Sequence, residues 1–335
     1  MVYKISVIIP CHNSESTLKK CIDSIINQTL GFDNIELILY DNASSDNTKN
    51  IIQSYSNKFK NIVPFYSDID SGFPGTGRNK GIKVATSEYI MFLDSDDEYD
   101  LHICEKLYNT LINEKADVVC CGKLVIDRDK VIKENFFDGQ FIFTDEEVIQ
   151  FKDTSLWNKI FKKEIISKNN LKFLENTSTD DFVFVISYFL KSKKAVYLKD
   201  YYGYIWRIYS DSLSHNFSKN HIPQYLIGYY ELYEILKKEN KEEFMDDIIK
   251  MHLLGILIYA SDVNYSYNEF KQVLNEISIF ENKIKFSSKF GDFVFDIINW
   301  FILNKMFNSA IICYKLFNKL RNISILQKIY LKIIN

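Results

Sequence analysis

The sequence predicts an α/β fold: a mostly parallel sheet flanked by helices, followed by an all-helical C-terminal extension. Three observations carry this. Short apolar runs alternate with amphipathic stretches through the first 125 residues, the pattern of consecutive βαβ units. Residues 89–93, Tyr-Ile-Met-Phe-Leu, are apolar without interruption, as in a strand covered on both faces. From residue 217 the pattern is helical to the end of the chain.

The elements follow in order. Residues 4–10, Lys-Ile-Ser-Val-Ile-Ile-Pro, form the first strand. Cys11-His-Asn-Ser is a turn, and Ser14 or Ser16 can cap a helix reaching about residue 28. Leu18, Ile22, Ile25 and Ile26 give that helix one apolar stripe. Residues 35–40 form the second strand, ending in Asp41-Asn-Ala-Ser-Ser-Asp46, a polar turn that opens a helix to about residue 55. Residues 61–66 form the third strand. A glycine-rich loop over 72–81 leads into a short helix ending near residue 85. The fourth strand, 89–93, runs into Asp94-Ser-Asp-Asp97. A helix over 101–114 and a fifth strand over 117–125 follow.

Residues 126–150 are charged and turn-rich, an excursion from the sheet. Trp157-Asn-Lys-Ile-Phe-Lys162 precedes a short helix. Thr179-Asp-Asp-Phe182 opens a helix to about residue 190, and 195–198 and 203–207 read as strands. Two domains are expected, 1–215 carrying the sheet and 216–335 helical.

Composition narrows the function. The chain has 335 residues, 47% of them hydrophobic, which supports a sizeable core. Net charge is −3, so nucleic acid is not an expected partner. Charge is unevenly spread. Residues 282–335 carry nine Lys/Arg against two Asp, a balance of +7, leaving −10 for the rest. A basic tail behind an acidic body suits an anionic membrane surface; a solvated helical face or a dimer surface suits it as well. Aromatic runs such as residues 290–303 fit an interfacial helix. No stretch reaches the roughly 18 apolar residues of a membrane-spanning helix. Cys11, Cys21, Cys104, Cys120, Cys121 and Cys313 form no Cys-x-x-Cys pair and read as buried thiols. With no signal peptide at the N-terminus, the expected location is cytoplasmic, with peripheral attachment to the inner membrane face.

The motifs carry the chemistry. Asp94, Asp96 and Asp97 crowd one strand tip. In an extended chain Asp94 and Asp96 point the same way, and a divalent cation would relieve their repulsion. Oxygen ligands alone suit Mg²⁺ or Mn²⁺. Capping of the following helix, by one of these residues or by Asp100, explains one carboxylate but not three. In a parallel sheet, ligands bind beyond the carboxyl ends of the strands. Three such ends carry polar residues here, His12/Asn13, Asp41/Asn42 and Asp94/Asp96, so they are expected to converge on one edge. Gly75-Thr-Gly77-Arg-Asn-Lys-Gly81 is not a dinucleotide fingerprint, since the first strand-to-helix turn lacks glycine. Nor is it a P-loop, because Gly81 follows Lys80. Arg78 can contact a phosphate or hold an Asp in place. Asp180 and Asp181 stand where carboxylates also cap a helix. Trp157 can stack on a ligand or fill the core. His215 can join the site or lie at the surface.

Four stretches then carry a family resemblance: Ser6-Val-Ile-Ile-Pro-Cys-His-Asn13, Asp41-Asn-Ala-Ser-Ser-Asp46, Gly77-Arg-Asn-Lys-Gly81 and Phe92-Leu-Asp-Ser-Asp-Asp97. In this order and spacing the chain resembles the family 2 glycosyltransferases of the GT-A fold, Rossmann-like and inverting, with an Asp-x-Asp metal motif. The resemblance covers residues 3–125 and continues less specifically to Ser212. It implies that Pro10, His12, Asn13, Asp41, Asn42, Arg78, Asp94 and Ser95 bind a nucleotide sugar, UDP-linked by expectation. It implies Asp96 and Asp94 as ligands of Mg²⁺ or Mn²⁺, and Asp181, or its neighbour Asp180, as the catalytic base. Trp157, Asn158, Lys159 and Arg207 would face the acceptor, a glycan or lipid-linked glycan of surface polysaccharide synthesis. Two positions depart from the pattern: Asp180 replaces the usual Glu, and Asn42 often is Asp. The rival enzyme reading is a glycosidase using two carboxylates, which gives Asp41 and Asn42 no purpose. The non-enzymatic rival is an inactive nucleotide-sugar-binding scaffold at the membrane.

Overall fold

The computed structural model describes residues 2–127, 130–135, 142–144, 153–175, 177–209 and 221–241. The chain divides into two compact units, Met1–His215 and Asn216–Asn335. The first opens with β1 (Ile5–Cys11), α1 (Leu18–Ile26), β2 (Ile35–Asn42), α2 (Thr48–Lys58), β3 (Ile62–Ser67), α3 (Gly75–Val84) and β4 (Tyr89–Phe92). It continues with β5 (Glu98–Tyr99), α4 (Ile103–Glu114), β6 (Val118–Asp127), β7 (Lys130–Glu134), β8 (Ile142–Thr144), β9 (Lys159–Lys162), α5 (Lys163–Lys168), α6 (Asp180–Phe189) and β10 (Lys194–Arg207).

The strands share one sheet in the order β3-β2-β1-β4-β9-β6-β10-β5, with β7 beside β6 and β8 beside β10. The first four strands are parallel, as the alternation of apolar runs predicts. Strand β9 then enters antiparallel to both β4 and β6. It reverses the local direction of a sheet expected to be mostly parallel. Residues 159–162 were expected only to precede a helix; four residues between turns carry too little periodicity to announce a strand.

Alternation along each strand sorts the core onto two faces. Ile5, Val7 and Ile9 of β1, with Met91 and Leu93, pack with Leu18, Cys21, Ile22 and Ile25 of α1 and Leu107 and Leu111 of α4. Ile8, Ile90 and Phe92 face the other way, towards Ile82 of α3 and Phe184 and Tyr188 of α6. Each such fully buried aliphatic or aromatic side chain contributes roughly 1.5–3 kcal/mol. The two-sided burial inferred for residues 89–93 is therefore met by helices on both faces.

The glycines of residues 75–81 differ from expectation. They lie inside α3, not in a loop before it. A Cβ on Gly77 would come within 2.7 Å of the Tyr40 ring, and one on Gly81 within 2.4 Å of Ile8. The helix rides so close to the sheet that only glycine fits at these contacts. The N-cap of α1 is Thr17, with no side-chain cap, in place of Ser14 or Ser16. All five cysteines among the described residues are buried and free, and burial pushes the Cys104 thiol well up.

In the second unit the described helix is α7 (His221–Lys238). Tyr229, Leu232 and Leu236 form a buried stripe at helical spacing, while Ile227 and Tyr230 are exposed. The basic tail 282–335, the aromatic run 290–303, Ser212, His215 and Cys313 lie outside the described residues. Among the described residues no helix is long and apolar enough to cross a membrane.

Candidate active site

The ends of β1, β2, β3 and β4 meet as the topology requires. His12 Nδ1 lies 2.8 Å from the Asn42 carbonyl, and Asn13 Nδ2 lies 3.1 Å from His12 Nε2. A carbonyl only accepts, so Nδ1 carries the proton and Nε2 accepts from Asn13. The Asn13 amide nitrogen donates to Ser44 Oγ, and Asn13 Oδ1 accepts from the Ser45 amide. Asp41 is buried and accepts from the Ser44 amide at 3.3 Å. Pro10 is half-buried at the end of β1.

The acidic tip is a turn, not an extended segment. The Asp97 amide donates to the Asp94 carbonyl at 3.1 Å, so Asp94 and Asp96 do not simply share a direction. Each carboxylate has a different environment. Asp94 Oδ1 accepts from Arg78 Nη2 at 2.8 Å. Asp97 is buried and accepts from Tyr204 Oη and from the Arg207 amide. Asp96 is half-buried, and its own main-chain N–H gives the hydrogen bond that opposes the upward shift of its carboxyl. Burial, then the Asp94 charge, push its pKa up to about 6. Ser95 ties the tip to the turn after β1: its hydroxyl meets Ser14 Oγ at 2.7 Å, and its carbonyl accepts from Thr17 Oγ1. Asp100, an alternative helix cap, accepts from the His102 amide at the start of α4.

Arg78 joins this tip to α6. Its Nη1 donates to Asp180 Oδ2 at 2.7 Å while Nη2 holds Asp94. The Arg78 side chain is only 5% exposed, so of its two expected roles it fills the second, fixing acids. Nη1 and Nη2 are thus both engaged by acids, while the buried Nε has no hydrogen-bond partner among the described residues. Burial alone would lower the Arg78 pKa, but the charges of Asp180 and Asp94 hold it above its usual value. Burial raises Asp180 against the opposing pull of Arg78. Asp181, next in the first turn, is half-buried and its Oδ1 accepts from the Phe182 amide. Burial and the Asp180 charge push Asp181 up to about 7, in the range of a working base.

The expected acceptor residues differ in exposure. Asn158 and Lys159 are fully buried. Asn158 Nδ2 donates to the Cys121 carbonyl and to Asp153, and Lys159 Nζ is ion-paired with Asp153 at 2.6 Å. They tie β9 into the sheet from inside. Trp157 stacks on Tyr204 with centroids 3.9 Å apart, which occupies one ring face. The Arg207 guanidinium is paired with Glu98.

Several residues escaped the sequence reading. Asp70 and Ser71 bind the Asn42 amide, Tyr204 holds Asp97, and Asp153 neutralises Lys159. Their partners are 28 or more residues away in the first and second cases, beyond any local periodicity. Among the described residues no group of three or more His, Cys, Asp or Glu side chains converges as a metal centre. Asp96 has the oxygen chemistry that would suit Mg²⁺ or Mn²⁺, for which one or two protein carboxylates suffice beside a phosphate substrate.

The model of Glycosyl transferase family 2 matches residues 6–172, about half of the chain. A poly(ribitol-phosphate) beta-glucosyltransferase of Bacillus spizizenii is 26% identical over 87% of this chain and 45% of its own length. The chain thus spans less than half of that relative. The poly(ribitol-phosphate) beta-N-acetylglucosaminyltransferase TarP of Staphylococcus aureus is 28% identical, covering 86% of this chain and 87% of its own. The crystal structure of S. aureus TarS in complex with UDP-GlcNAc superposes with a TM-score of 0.75 at 17% identity, covering 94% of this chain and 92% of that one. The fold, the ordered motifs and the matching family model agree: the chain belongs to glycosyl transferase family 2, on the GT-A fold.

Proposed function

We propose that this glycosyltransferase moves a hexose or N-acetylhexosamine from a UDP-sugar to a polyol-phosphate or lipid-linked glycan acceptor in cell-surface polymer synthesis, inverting the anomeric centre. The observation that carries it is the Arg78 bridge. One buried guanidinium links Asp94, next to Asp96, with Asp180, next to Asp181. This favours a divided chemistry, with an anion-rich tip for the donor and a separate base for the acceptor.

Asp96, supported by Asp94, would hold the Mg²⁺ or Mn²⁺ ion. When bound, such an ion neutralises charge on the departing diphosphate. Asp181 takes the proton from the acceptor hydroxyl as that oxygen bonds to the anomeric carbon and the nucleoside diphosphate leaves. Such a base contributes roughly 10²–10⁴-fold. Asp180 is committed to Arg78, which favours Asp181 over it. Pro10, His12, Asn13, Asp41 and Asn42 would border the nucleobase. The names of the relatives, two of which transfer glucose or N-acetylglucosamine onto poly(ribitol phosphate), support a similar acceptor. The basic balance of residues 282–335 supports attachment to an anionic membrane face. A homodimer surface in the same region is the other reading of that charge.

The test is a panel of nucleotide sugars with Mg²⁺ or Mn²⁺, offered poly(ribitol phosphate) and lipid-linked acceptors, with release of nucleoside diphosphate as the signal. UDP release with one pair, and inverted linkage in the product, is the expected result. Tight UDP binding without turnover on any pair would instead establish an inactive scaffold.

A further inference from the structure

We infer that Asn42, Asp70 and Ser71 form a polarity-matched latch that fixes the loop after β3 against the donor site, and that the latch sets affinity for the nucleotide. This deepens the proposed function and rests on its nucleotide reading.

The latch is read from hydrogen-bond direction. Asn42 ends β2 and is buried. Its Nδ2 donates to Asp70 Oδ1 at 2.8 Å. Its Oδ1 accepts from the Ser71 amide at 3.1 Å and from Ser71 Oγ at 3.0 Å. A carboxylate only accepts and a backbone N–H only donates, so the amide has a single satisfying orientation. Asp70 Oδ1 also accepts from the Gly72 amide at 2.7 Å, and Gly72 turns with φ +78°, a region glycine enters without strain. On the other side His12 Nδ1 donates to the Asn42 carbonyl, and His12 Nε2 lies 3.8 Å from Asp70 Oδ2. Residue 42 therefore ties three segments: its side-chain amide holds the loop after β3, and its main-chain carbonyl holds His12 at the end of β1.

This explains why residue 42 is Asn although the resemblance would allow Asp. An Asp there would set two carboxylate oxygens where Nδ2 now meets Asp70, with no donor between them. Asp70 itself has its side chain 50% exposed, so the loop can swing into solvent when the tie is lost.

The pair can be exchanged with the bond between residues 42 and 70 kept. In the double variant N42D/D70N the new amide donates to the new carboxylate and Ser71 still finds an acceptor, while the Gly72 amide loses the oxygen it shared with Asn42. The experiment measures UDP affinity by calorimetry with Mn²⁺ present, and amide hydrogen exchange over residues 68–73 in the free protein. Wild type, N42D, D70N and N42D/D70N are compared at matched folded fraction. N42D is expected to raise the UDP dissociation constant about tenfold and to speed exchange in the loop, with N42D/D70N returning both to within about threefold of wild type, as for contacting residues that couple. A residue with a merely structural role would shift melting temperature and leave UDP affinity of the folded fraction alone. Wild-type UDP affinity in N42D overturns the proposal. So does a double variant as weak as N42D, because Asn42 would then act on the ligand directly. Failure of wild type to bind UDP would refute the nucleotide reading; the exchange data would still decide whether the latch exists.

Discussion

Replacing Arg78 by Met is the sharpest perturbation of this site. Methionine keeps much of the buried stem and removes the guanidinium. Two carboxylates then lose their partner, with unequal consequences. The Asp94 side chain is 33% exposed and can turn to water, so its share is about 0–1 kcal/mol. The Asp180 side chain is 2% exposed and cannot. Leaving a buried charge without its counter-charge costs about 3–5 kcal/mol. In a unit of this size about 2–4 °C of melting temperature goes with each kcal/mol, so a fall of roughly 6–20 °C is expected at pH 8 by scanning calorimetry. The pH dependence has a definite sign. Asp180 already sits above its unfolded pKa, and removing Arg78 raises it further. A carboxylate raised on folding costs stability above its unfolded pKa and returns it as pH falls through the folded one. The deficit of Arg78→Met must therefore shrink towards pH 5. Adding Asp180→Asn removes the orphan charge and should recover at least half of the loss. A fall below about 3 °C, or a deficit that grows in acid, would refute the assignment of Arg78 as an electrostatic bridge.

Four further outcomes are expected. Asp181→Asn should lower kcat by roughly 10²–10⁴-fold while UDP binding is retained; a loss under tenfold moves the base elsewhere. In wild type kcat should fall about tenfold per pH unit below about 7, because Asp181 must be ionised to accept a proton and its pKa is raised to that value. A limb near pH 4 would contradict this. Asp96→Ala should abolish the stimulation of UDP binding by Mn²⁺, read by titration with and without the ion; undiminished stimulation would exclude Asp96 as a ligand. Gly81→Ala should destabilise by about 1–3 kcal/mol in urea, since its Cβ would sit 2.4 Å from Ile8 in a closed core. A neutral effect would mean that α3 can lift from the sheet.

Much of the fold was legible because it is written in local periodicity. The unbroken run at residues 89–93 announced a strand with helices on both faces, and both faces are covered. The polar residues ending β1, β2 and β4 converge because parallel strands put their carboxyl ends on one edge, a consequence of topology alone. The order of motifs sufficed to indicate the family. Local pattern failed where the partner was distant or the segment short. Strand β9 is four residues long, and its burial of Asn158 and Lys159 depends on Asp153 inside the fold.

The sequence by itself determined which residues are apolar, where strands end in carboxylates, and hence that an α/β sheet presents an acidic edge. Only the tertiary structure decided how those acids differ. Asp94, Asp96 and Asp97 are chemically identical neighbours, yet one is held by Arg78, one is pushed up by burial and the Asp94 charge, and one is closed off by Tyr204. Asp180 and Asp181 are likewise separated by a guanidinium 102 residues away from the first of them. Ionisation and reach depend on burial and on charges brought close through space, and neither quantity is a function of position along the chain.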